Sequence, residues 1–139
     1  MTSRPTYVLD SFALLALFRD EVAADTVEDL IRLAQREEAH LAIATVNLGE
    51  VAYRVEREFG FERVQDVLGK IVEFQIDVVD VDRALALMAA RYKATYKMSY
   101  ADCFATALAQ RLEAPLVTGD PDFQQVEHLV SVEWLPRDN

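Results

Sequence analysis

The chain has 139 residues, of which 52% are hydrophobic and 27% are charged, a composition typical of one globular domain rather than of a disordered segment. It holds no uncharged apolar run near the roughly 18 residues that cross a membrane, and its lone Cys103 cannot form an internal disulfide, so we expect a cytoplasmic protein. The net charge of −10 argues against the basic surface of most nucleic-acid-binding proteins, with metal-dependent nucleases as an exception.

The spacing of apolar residues predicts strands and helices in alternation along the chain. Up to residue 74 the predicted elements are the strand Thr6–Leu9, the helices Ser11–Phe18 and Val22–Glu38, the strand Leu41–Ala44, and the helices Asn47–Phe59 and Phe61–Phe74. The others are the strand Ile76–Val81, a helix from about Asp82 to Tyr96, the helix Ser99–Leu112, and the strands Pro115–Thr118 and Ser131–Leu135. Such alternation is typical of a mainly parallel sheet covered on both faces, so we expect a single three-layer α/β/α domain over residues 1–139.

Four acidic residues lie close to the points where apolar strands end. Asp10 directly follows the first predicted strand and Asp120 follows the strand near residue 118, whereas Glu50 and Asp102 lie in the first turns of predicted helices. The loops that leave the carboxyl ends of parallel strands gather at one edge of the sheet, so we expect the four carboxylates to meet there. Negative charges held so close together require neutralisation by protons or divalent cations.

The same carboxylates also fit a purely structural role as helix caps. Two of them complete a capping box, in Asn47-x-x-Glu50 and Ser99-x-x-Asp102, and the other two can cap the segments that follow them. Two observations favour a shared site. Capping draws on Ser, Thr, Asn and Asp alike, yet all four positions are acidic, and Asn47 and Ser99 already supply caps of their own.

A site built from carboxylates, without His or Cys, favours Mg²⁺ or Mn²⁺ over zinc. Such ions activate water and stabilise the attacking and leaving oxygens of a phosphoryl displacement, which points to phosphodiester hydrolysis. A phosphatase of small phosphoesters is a weaker alternative. Phe12 stands two residues after Asp10, where aspartate phosphotransferases carry a second aspartate, and no glycine-rich phosphate loop is present. His40 and His128 have no recognisable nucleophile beside them.

Four segments carry a resemblance to a known family, and they are Val8-Leu9-Asp10-Ser11, Asn47-Leu48-Gly49-Glu50-Val51, Ser99 to Ala105, and Leu116 to Phe123. Together they span nearly the whole chain and resemble the PIN-domain ribonucleases, and among these the VapC toxins of bacterial and archaeal toxin–antitoxin pairs. The resemblance implies a PIN-like fold, an RNA substrate, a homodimer, and inhibition by an antitoxin protein encoded alongside.

The resemblance also assigns roles to individual residues. The acids expected to catalyse hydrolysis and to bind Mg²⁺, with Mn²⁺ as an alternative, are Asp10, Glu50, Asp102 and Asp120. Three accessory residues match a further acid of some members and two polar positions that support the site, and they are Asp122, Ser11 and Thr118.

A basic and aromatic stretch, Arg91-Tyr92-Lys93-Ala94-Thr95-Tyr96-Lys97, precedes Asp102. Cations contact phosphates and aromatic rings stack on unpaired bases, so this stretch is a candidate RNA contact. Two further cations lie one and about two helical turns beyond Glu50. The predicted RNA-binding residues are therefore Arg54, Arg57, Arg91, Lys93 and Lys97. The alternative is a solvated helix end with its tyrosines in the core.

These observations together predict a Mg²⁺-dependent endoribonuclease that hydrolyses RNA phosphodiester bonds and acts as the toxin of a toxin–antitoxin pair. The alternative, from another functional class, is a non-catalytic PIN-like module that binds RNA or a protein partner. RNA cleavage that depends on a divalent cation distinguishes the two.

Overall fold

A parallel sheet of five strands forms the centre of the structure, a computed structural model that describes residues 4–138. In chain order the strands are β1 (Thr6–Leu9), β2 (His40–Ala44), β3 (Asp77–Val79), β4 (Leu116–Thr118) and β5 (Val132–Trp134). They are arranged in the order β3-β2-β1-β4-β5, and every pairing is parallel, which confirms the predicted sheet. Residues 1–3 and 139 of the predicted single domain lie outside the described residues.

Helices cover both faces of this sheet. They are α1 (Ser11–Phe18), α2 (Ala24–Gln35), α3 (Thr45–Phe59), α4 (Phe61–Glu73), α5 (Arg83–Thr95) and α6 (Tyr100–Leu112), with a 3-10 helix at Pro121–Val126 between β4 and β5. The helices α1 to α4 share one hydrophobic core with the sheet, and α5, α6 and the 3-10 helix share a second core on the opposite face. The structure therefore has the predicted three-layer α/β/α architecture.

Neighbouring residues of the central strands point into different cores. In β1, Val8 packs with α5 and α6, whereas Leu9 packs with α1 to α4. In β4, Leu116 packs with α5 and α6, and Val117 packs with α1 to α4. All four side chains are fully buried, as expected for strands of a parallel sheet that is covered on both faces. Since β1 and β4 are adjacent, the segments that leave their carboxyl ends lie side by side.

The order of the strands and helices agrees with the sequence prediction, and the differences lie at element ends. Gly60, with φ +93°, separates α3 from α4 as predicted. The predicted helix Val22–Glu38 is shorter in the structure, and the strand predicted at Ile76–Val81 is confined to β3. The 3-10 helix lies directly after Asp120, one of the two acids that the sequence allowed as a cap for the following segment. Within residues 4–138, no helix combines the length and apolar character needed to cross a membrane.

Gly119 lies between β4 and the acid Asp120, where the aromatic ring of Phe12 from α1 packs against it. A Cβ atom at position 119 would overlap Phe12 Cε1 and would lie 3.2 Å from the carbonyl oxygen of Leu135. Because of this overlap, a larger residue requires the Phe12 ring to move. The missing side chain therefore allows α1 to approach the end of β4.

We expect Gly119→Ala to lower the free energy of unfolding by about 1–3 kcal/mol, the usual cost of forcing an extra atom into a packed site. Adding Phe12→Leu should recover part of this loss, because it removes the ring edge that the new methyl group would meet. Gly69→Ala in α4 is the control, since a Cβ there meets nothing within 4 Å and alanine should raise stability by up to about 1 kcal/mol. Urea unfolding measures all of these values, and an equal loss at both glycines would contradict the packing argument.

Candidate active site

Asp10 lies at the carboxyl end of the central strand β1, and its carboxylate is almost completely buried, with 1% of the residue exposed. One oxygen, Oδ1, accepts a hydrogen bond of 3.0 Å from the amide of Ala13 and so caps α1. The other, Oδ2, accepts a hydrogen bond from the hydroxyl of Thr118 at the end of β4. Capping and a place in an acidic site are thus compatible for this residue, because the cap uses only one of its two oxygens.

Hydrogen bonds continue from Thr118 into the 3-10 helix. The hydroxyl oxygen of Thr118 accepts a hydrogen bond of 3.0 Å from the amide of Asp120. Asp120 Oδ1 in turn accepts a hydrogen bond of 2.9 Å from the amide of Asp122 and caps the 3-10 helix. These bonds shape the turn after β4, and the carboxylates of Asp120 and Asp122 lie close to that of Asp102.

Asp102, Asp120 and Asp122 form the tightest group of acids. One carboxylate oxygen of each lies within 4.8 Å of the others, a spacing that a single cation can bridge. Asp102 is buried, Asp120 is half-buried and Asp122 is exposed, so the group is open to solvent on one side. A donor set that consists of oxygen alone suits Mg²⁺ or Mn²⁺, and these residues therefore fit the predicted class of metal.

Glu50 approaches this group from α3. The hydroxyl of Ser11, which follows Asp10 in the chain, donates a hydrogen bond to Glu50 Oε1. Arg54, one turn later in the same helix, has its Nη1 3.8 Å from Glu50 Oε2. The prediction placed Glu50 in the first turn of its helix, but α3 begins at Thr45 and Glu50 lies in the second turn.

The two predicted capping boxes have different outcomes. Ser99 does cap α6, because its Oγ accepts a hydrogen bond of 3.1 Å from the amide of Asp102. Asn47 does not cap α3, and this prediction is wrong, since the helix begins at Thr45 without a side-chain cap. Asn47 is instead the third residue of α3, and its side chain is buried. Its Nδ2 donates a hydrogen bond of 2.9 Å to the carbonyl oxygen of Ala101. This bond joins α3 to the start of α6.

Burial and mutual repulsion change the acidity of two of these carboxyl groups. Burial raises the pKa of Asp10 to about 8, and the hydrogen bonds from Thr118 and Ala13 offset only part of that effect. The pKa of Asp102 is raised to about 7, first by burial and then by the negative charge of Asp120. At neutral pH the metal-free site therefore retains protons. A divalent cation favours the ionised carboxylates, so protons and metal compete for the site.

The acids line a cleft of about 360 Å³ at the carboxyl edge of the sheet. Asp10, Ser11, Glu50, Asp102, Asp120 and Asp122 all contribute to its wall, so the structure brings these predicted residues together. Thr118 lies behind Asp10 and contacts it from β4. Five lining residues were not predicted as site residues, namely Phe12, Leu15, Arg19, Glu21 and Ser99, the last of which was predicted only as a helix cap. The spacing of four residues from Ser11 to Leu15 and to Arg19 marks one face of α1 and is the signal that could have identified two of them.

The predicted RNA-binding residues are spread over different surfaces. Arg54 lines the cleft, whereas the guanidinium carbon of Arg57 lies 4.8 Å from the centre of the Tyr53 ring. Arg91 borders a separate groove beside Tyr92 and Tyr96. The remaining two are Lys93, whose Nζ donates a hydrogen bond of 2.8 Å to the carbonyl oxygen of Met98, and Lys97, which is exposed.

We expect the raised pKa of Asp102 to produce a pH-dependent difference in stability between the metal-free protein and its Asp102→Asn variant. The folded chain holds this proton more tightly than the unfolded chain. The contribution of Asp102 to the free energy of unfolding of the parent protein therefore falls as pH rises from about 4 to about 7. In EDTA, the Tm of the variant relative to the parent should therefore increase across that interval and then level off. Asp25→Asn on the exposed surface of α2 is the control.

Thermal melts across this pH range measure the difference in Tm, and a difference that does not change with pH would contradict the burial argument.

A second measurement uses the competition between protons and metal. Binding of Mg²⁺ to the parent at about neutral pH should release protons. The calorimetric heat should then depend on the ionisation enthalpy of the buffer.

Known proteins share this fold and its sequence pattern. Residues 7–129 match the family model of the PIN domain. A search among curated proteins found no match. Two solved structures match with a TM-score of 0.75, and each match covers 94% of this chain and 99% of the other chain. The first is VapBC2 from Rickettsia felis bound to a promoter DNA fragment, at 18% identity. The second is Mycobacterium tuberculosis VapC20, a sarcin-ricin loop cleaving toxin, at 17% identity.

A third similar structure is VapBC-1 from nontypeable Haemophilus influenzae, with 18% identity and a TM-score of 0.69, and the match covers 93% of this chain and 98% of that one. At such low identities the structural likeness shows a common fold. The family model spans most of the sequence, from β1 to the segment after the 3-10 helix. The chain therefore belongs to the PIN-domain family.

Proposed function

We propose that the chain is a Mg²⁺-dependent endoribonuclease that hydrolyses RNA phosphodiester bonds in the cleft. The observation that carries this proposal is the convergence of Asp10, Glu50, Asp102 and Asp120 on one cleft of a PIN-domain fold. Four distant parts of the chain supply these acids, and burial among like charges raises two of their pKa values. A divalent cation relieves this repulsion, and Mn²⁺ suits the same oxygen donors.

Asp102, Asp120 and Asp122 are the residues best placed to hold the ion, because their carboxylate oxygens lie closest together. When bound, a divalent cation supplies an activated water and neutralises charge on the phosphate. Asp10 already accepts two hydrogen bonds, but an ionised carboxylate has about four acceptor positions, so Asp10 can contribute a further contact. Glu50 faces the same cleft from α3.

Ser11 and Thr118 act on the acids rather than on the substrate in this proposal. Each hydroxyl donates a hydrogen bond to one carboxylate, Ser11 to Glu50 and Thr118 to Asp10. A carboxylate held in this way keeps its orientation when the ion or the substrate leaves. Phe12 and Leu15 form the apolar part of the wall and limit the access of water on the α1 side.

We further propose that the protein is the toxin of a toxin–antitoxin pair, a cytoplasmic homodimer of single-domain chains of residues 1–139 that a cognate antitoxin protein inhibits. Support comes from the structures that share its fold, which include a toxin–antitoxin complex from Klebsiella pneumoniae and the sarcin-ricin loop cleaving toxin VapC20. The net charge of −10 suits a basic antitoxin segment, because opposite charges steer association. A strict monomer in light scattering at micromolar concentration would contradict the homodimer.

The second candidate function is a non-catalytic PIN-like module that binds RNA or a protein partner. The charge of the cleft suits a basic protein partner rather than RNA in this candidate, since six of its lining residues are acidic and only Arg19 and Arg54 are basic. Binding without cleavage in the presence of Mg²⁺ would identify such a module. Cleavage of RNA that stops in EDTA would exclude it.

Asp102→Asn is expected to lower RNA cleavage by more than about 100-fold, because the loss of an outer partner of a metal ligand alone costs about 10–100-fold. The fold should remain, since the backbone amide of residue 102 still donates to Ser99. Total cellular RNA with Mg²⁺ or EDTA serves as substrate, and exposed Asp25→Asn is the matched control. Millimolar Mg²⁺ should also raise the Tm of the parent but not of the variant. An active Asp102→Asn protein would return this residue to a structural role.

Replacing Arg91, Lys93 and Lys97 with Ala is expected to weaken RNA binding and its dependence on salt. For a single strand, each neutralised phosphate adds about 0.7 to the logarithmic salt slope, so the slope should fall by up to about 2. The binding series is measured in the Asp102→Asn background, which prevents cleavage. A triple replacement of the ion-paired surface cations Arg32, Arg36 and Lys70 is the charge-matched control. Equal slopes for both triple variants would place the RNA away from α5.

A further inference from the structure

The helices α1 and α3 run side by side away from the acidic centre and are joined by side chains at both ends of α1. Ser11 near the start of α1 donates a hydrogen bond to Glu50 of α3. Arg19, which ends α1, forms an ion pair with Glu58 near the end of α3. Both pairs join residues 39 positions apart in the chain, so the helices keep the same register between them. Eight residues of helix separate the two pairs, a distance of about 12 Å.

We call the contact between these two helices the α1–α3 seam. The cleft follows this seam beyond the proposed metal ligands. Leu15 lies midway between Ser11 and Arg19 on α1, and Arg54 lies midway between Glu50 and Glu58 on α3. Leu15, Arg19 and Arg54 all line the same cleft as Asp102 and Asp120. The cleft therefore extends from the acidic centre past Arg54 to Arg19, and Glu21 also lines it.

The guanidinium of Arg19 is held in place with donors to spare. Its Nη2 lies 2.7 Å and its Nε 3.0 Å from the same carboxylate oxygen of Glu58, Oε2. A guanidinium has five N–H groups, and this ion pair engages one on each of the two nitrogens. One quarter of the Arg19 side chain is exposed, on a residue that lines the cleft. A held, partly exposed guanidinium matches the geometry in which arginine binds phosphate.

We infer that Arg19 forms a phosphate subsite for the RNA backbone, about 12 Å along the α1–α3 seam from the acidic centre, and that Glu58 positions its guanidinium. This inference rests on the proposed ribonuclease function. A strand whose scissile phosphate lies at the acids has to continue through a cleft lined by six carboxylates. Arg19 gives that strand a cationic contact away from the reacting atoms, and Arg54 lies between the two points.

A purely structural role for the ion pair is the competing explanation, in which Arg19 and Glu58 only tie α1 to α3. Partly exposed ion pairs contribute little to stability, so this role explains the position of the pair poorly. The two explanations also differ in what they predict for each partner. An ion pair that only links α1 to α3 is broken equally by a change at either residue. A phosphate subsite depends on the positive charge of Arg19.

The test uses a short fluorescent single-stranded oligoribonucleotide that the unaltered protein cleaves in Mg²⁺. Arg19→Gln is expected to raise KM by about 10-fold or more, the usual effect of losing a charged hydrogen bond, while kcat changes much less. In the Asp102→Asn background the same change should lower the salt slope of RNA binding by about 0.7. Arg19→Lys keeps the charge and should restore the slope, but only part of the affinity.

Glu58→Gln and Arg32→Gln complete the set. Glu58→Gln keeps the positive charge of Arg19 but weakens the ion pair that positions it, so it should keep the parent salt slope and raise KM less than Arg19→Gln does. Arg32→Gln removes an ion-paired arginine on the exposed face of α2 and should match the parent. Thermal melts establish that each variant is folded.

Two results would overturn the subsite. One is an Arg19→Gln protein with the KM and salt slope of Arg32→Gln. The other is an equal loss of affinity in Arg19→Gln and Glu58→Gln with both slopes unchanged, which is the signature of a structural tie. If the unaltered protein neither binds nor cleaves RNA, the ribonuclease proposal fails and the subsite fails with it, a result that differs from both of these.

Discussion

The hydrogen bond between Thr118 and Asp10 is the interaction on which the site depends. It joins the ends of the two central strands, β1 and β4, and it partly compensates a carboxylate that is shielded from water. The same hydroxyl oxygen accepts a hydrogen bond from the amide of Asp120, so one side chain orients the acid that follows β1 and the acid that follows β4. Without this contact, Asp10 would keep only the amide of Ala13 as a partner in the described part of the chain. A buried carboxyl group with so few partners would favour its neutral form even more strongly.

A second set of contacts brings the helices to the strands. Ser11 connects α1 to α3, and Asn47 connects α3 to α6 through the carbonyl oxygen of Ala101. The amide oxygen of Asn47 is buried and finds no partner within residues 4–138. A buried polar group that is left unsatisfied reduces stability, and so does a cluster of like charges. The acids line the proposed active site and Asn47 contacts Ala101 beside Asp102, and proteins commonly accept such losses near a functional site.

Local patterns account for the parts of the site that the sequence predicted well. Asp10 and Asp120 follow apolar strands in the chain, and parallel pairing of β1 with β4 is enough to bring them together. Helix boundaries such as Gly60 and the Ser99 cap are likewise local. The Asn47 cap was predicted wrongly because α3 begins two residues earlier, at Thr45, and tertiary packing then buries the amide.

Features that depend on how helices pack could not be read from spacing alone. Arg19 reaches the cleft only because α1 lies against α3, and its partner Glu58 is distant in the chain. The same limit applies to the basic residues proposed to contact RNA. Arg54, one turn after Glu50 in the same helix, lines the cleft, whereas Arg91 borders a different groove because α5 packs on the opposite face of the sheet.

The pairing of β1 with β4 has a consequence for protein synthesis. The partners Asp10 and Thr118 are 108 positions apart, and β4 is the fourth strand to be made although it lies beside the first. A nascent chain that has left the ribosome only as far as α5 contains Asp10 and Glu50 but lacks Thr118, which orients Asp10 from β4, and the acids that complete the group. Domains generally fold from the N-terminus as they emerge, yet this cleft cannot assemble until the β4 segment is free. Any activity of the cleft therefore begins late in translation, and an incomplete chain carries acids without a working site.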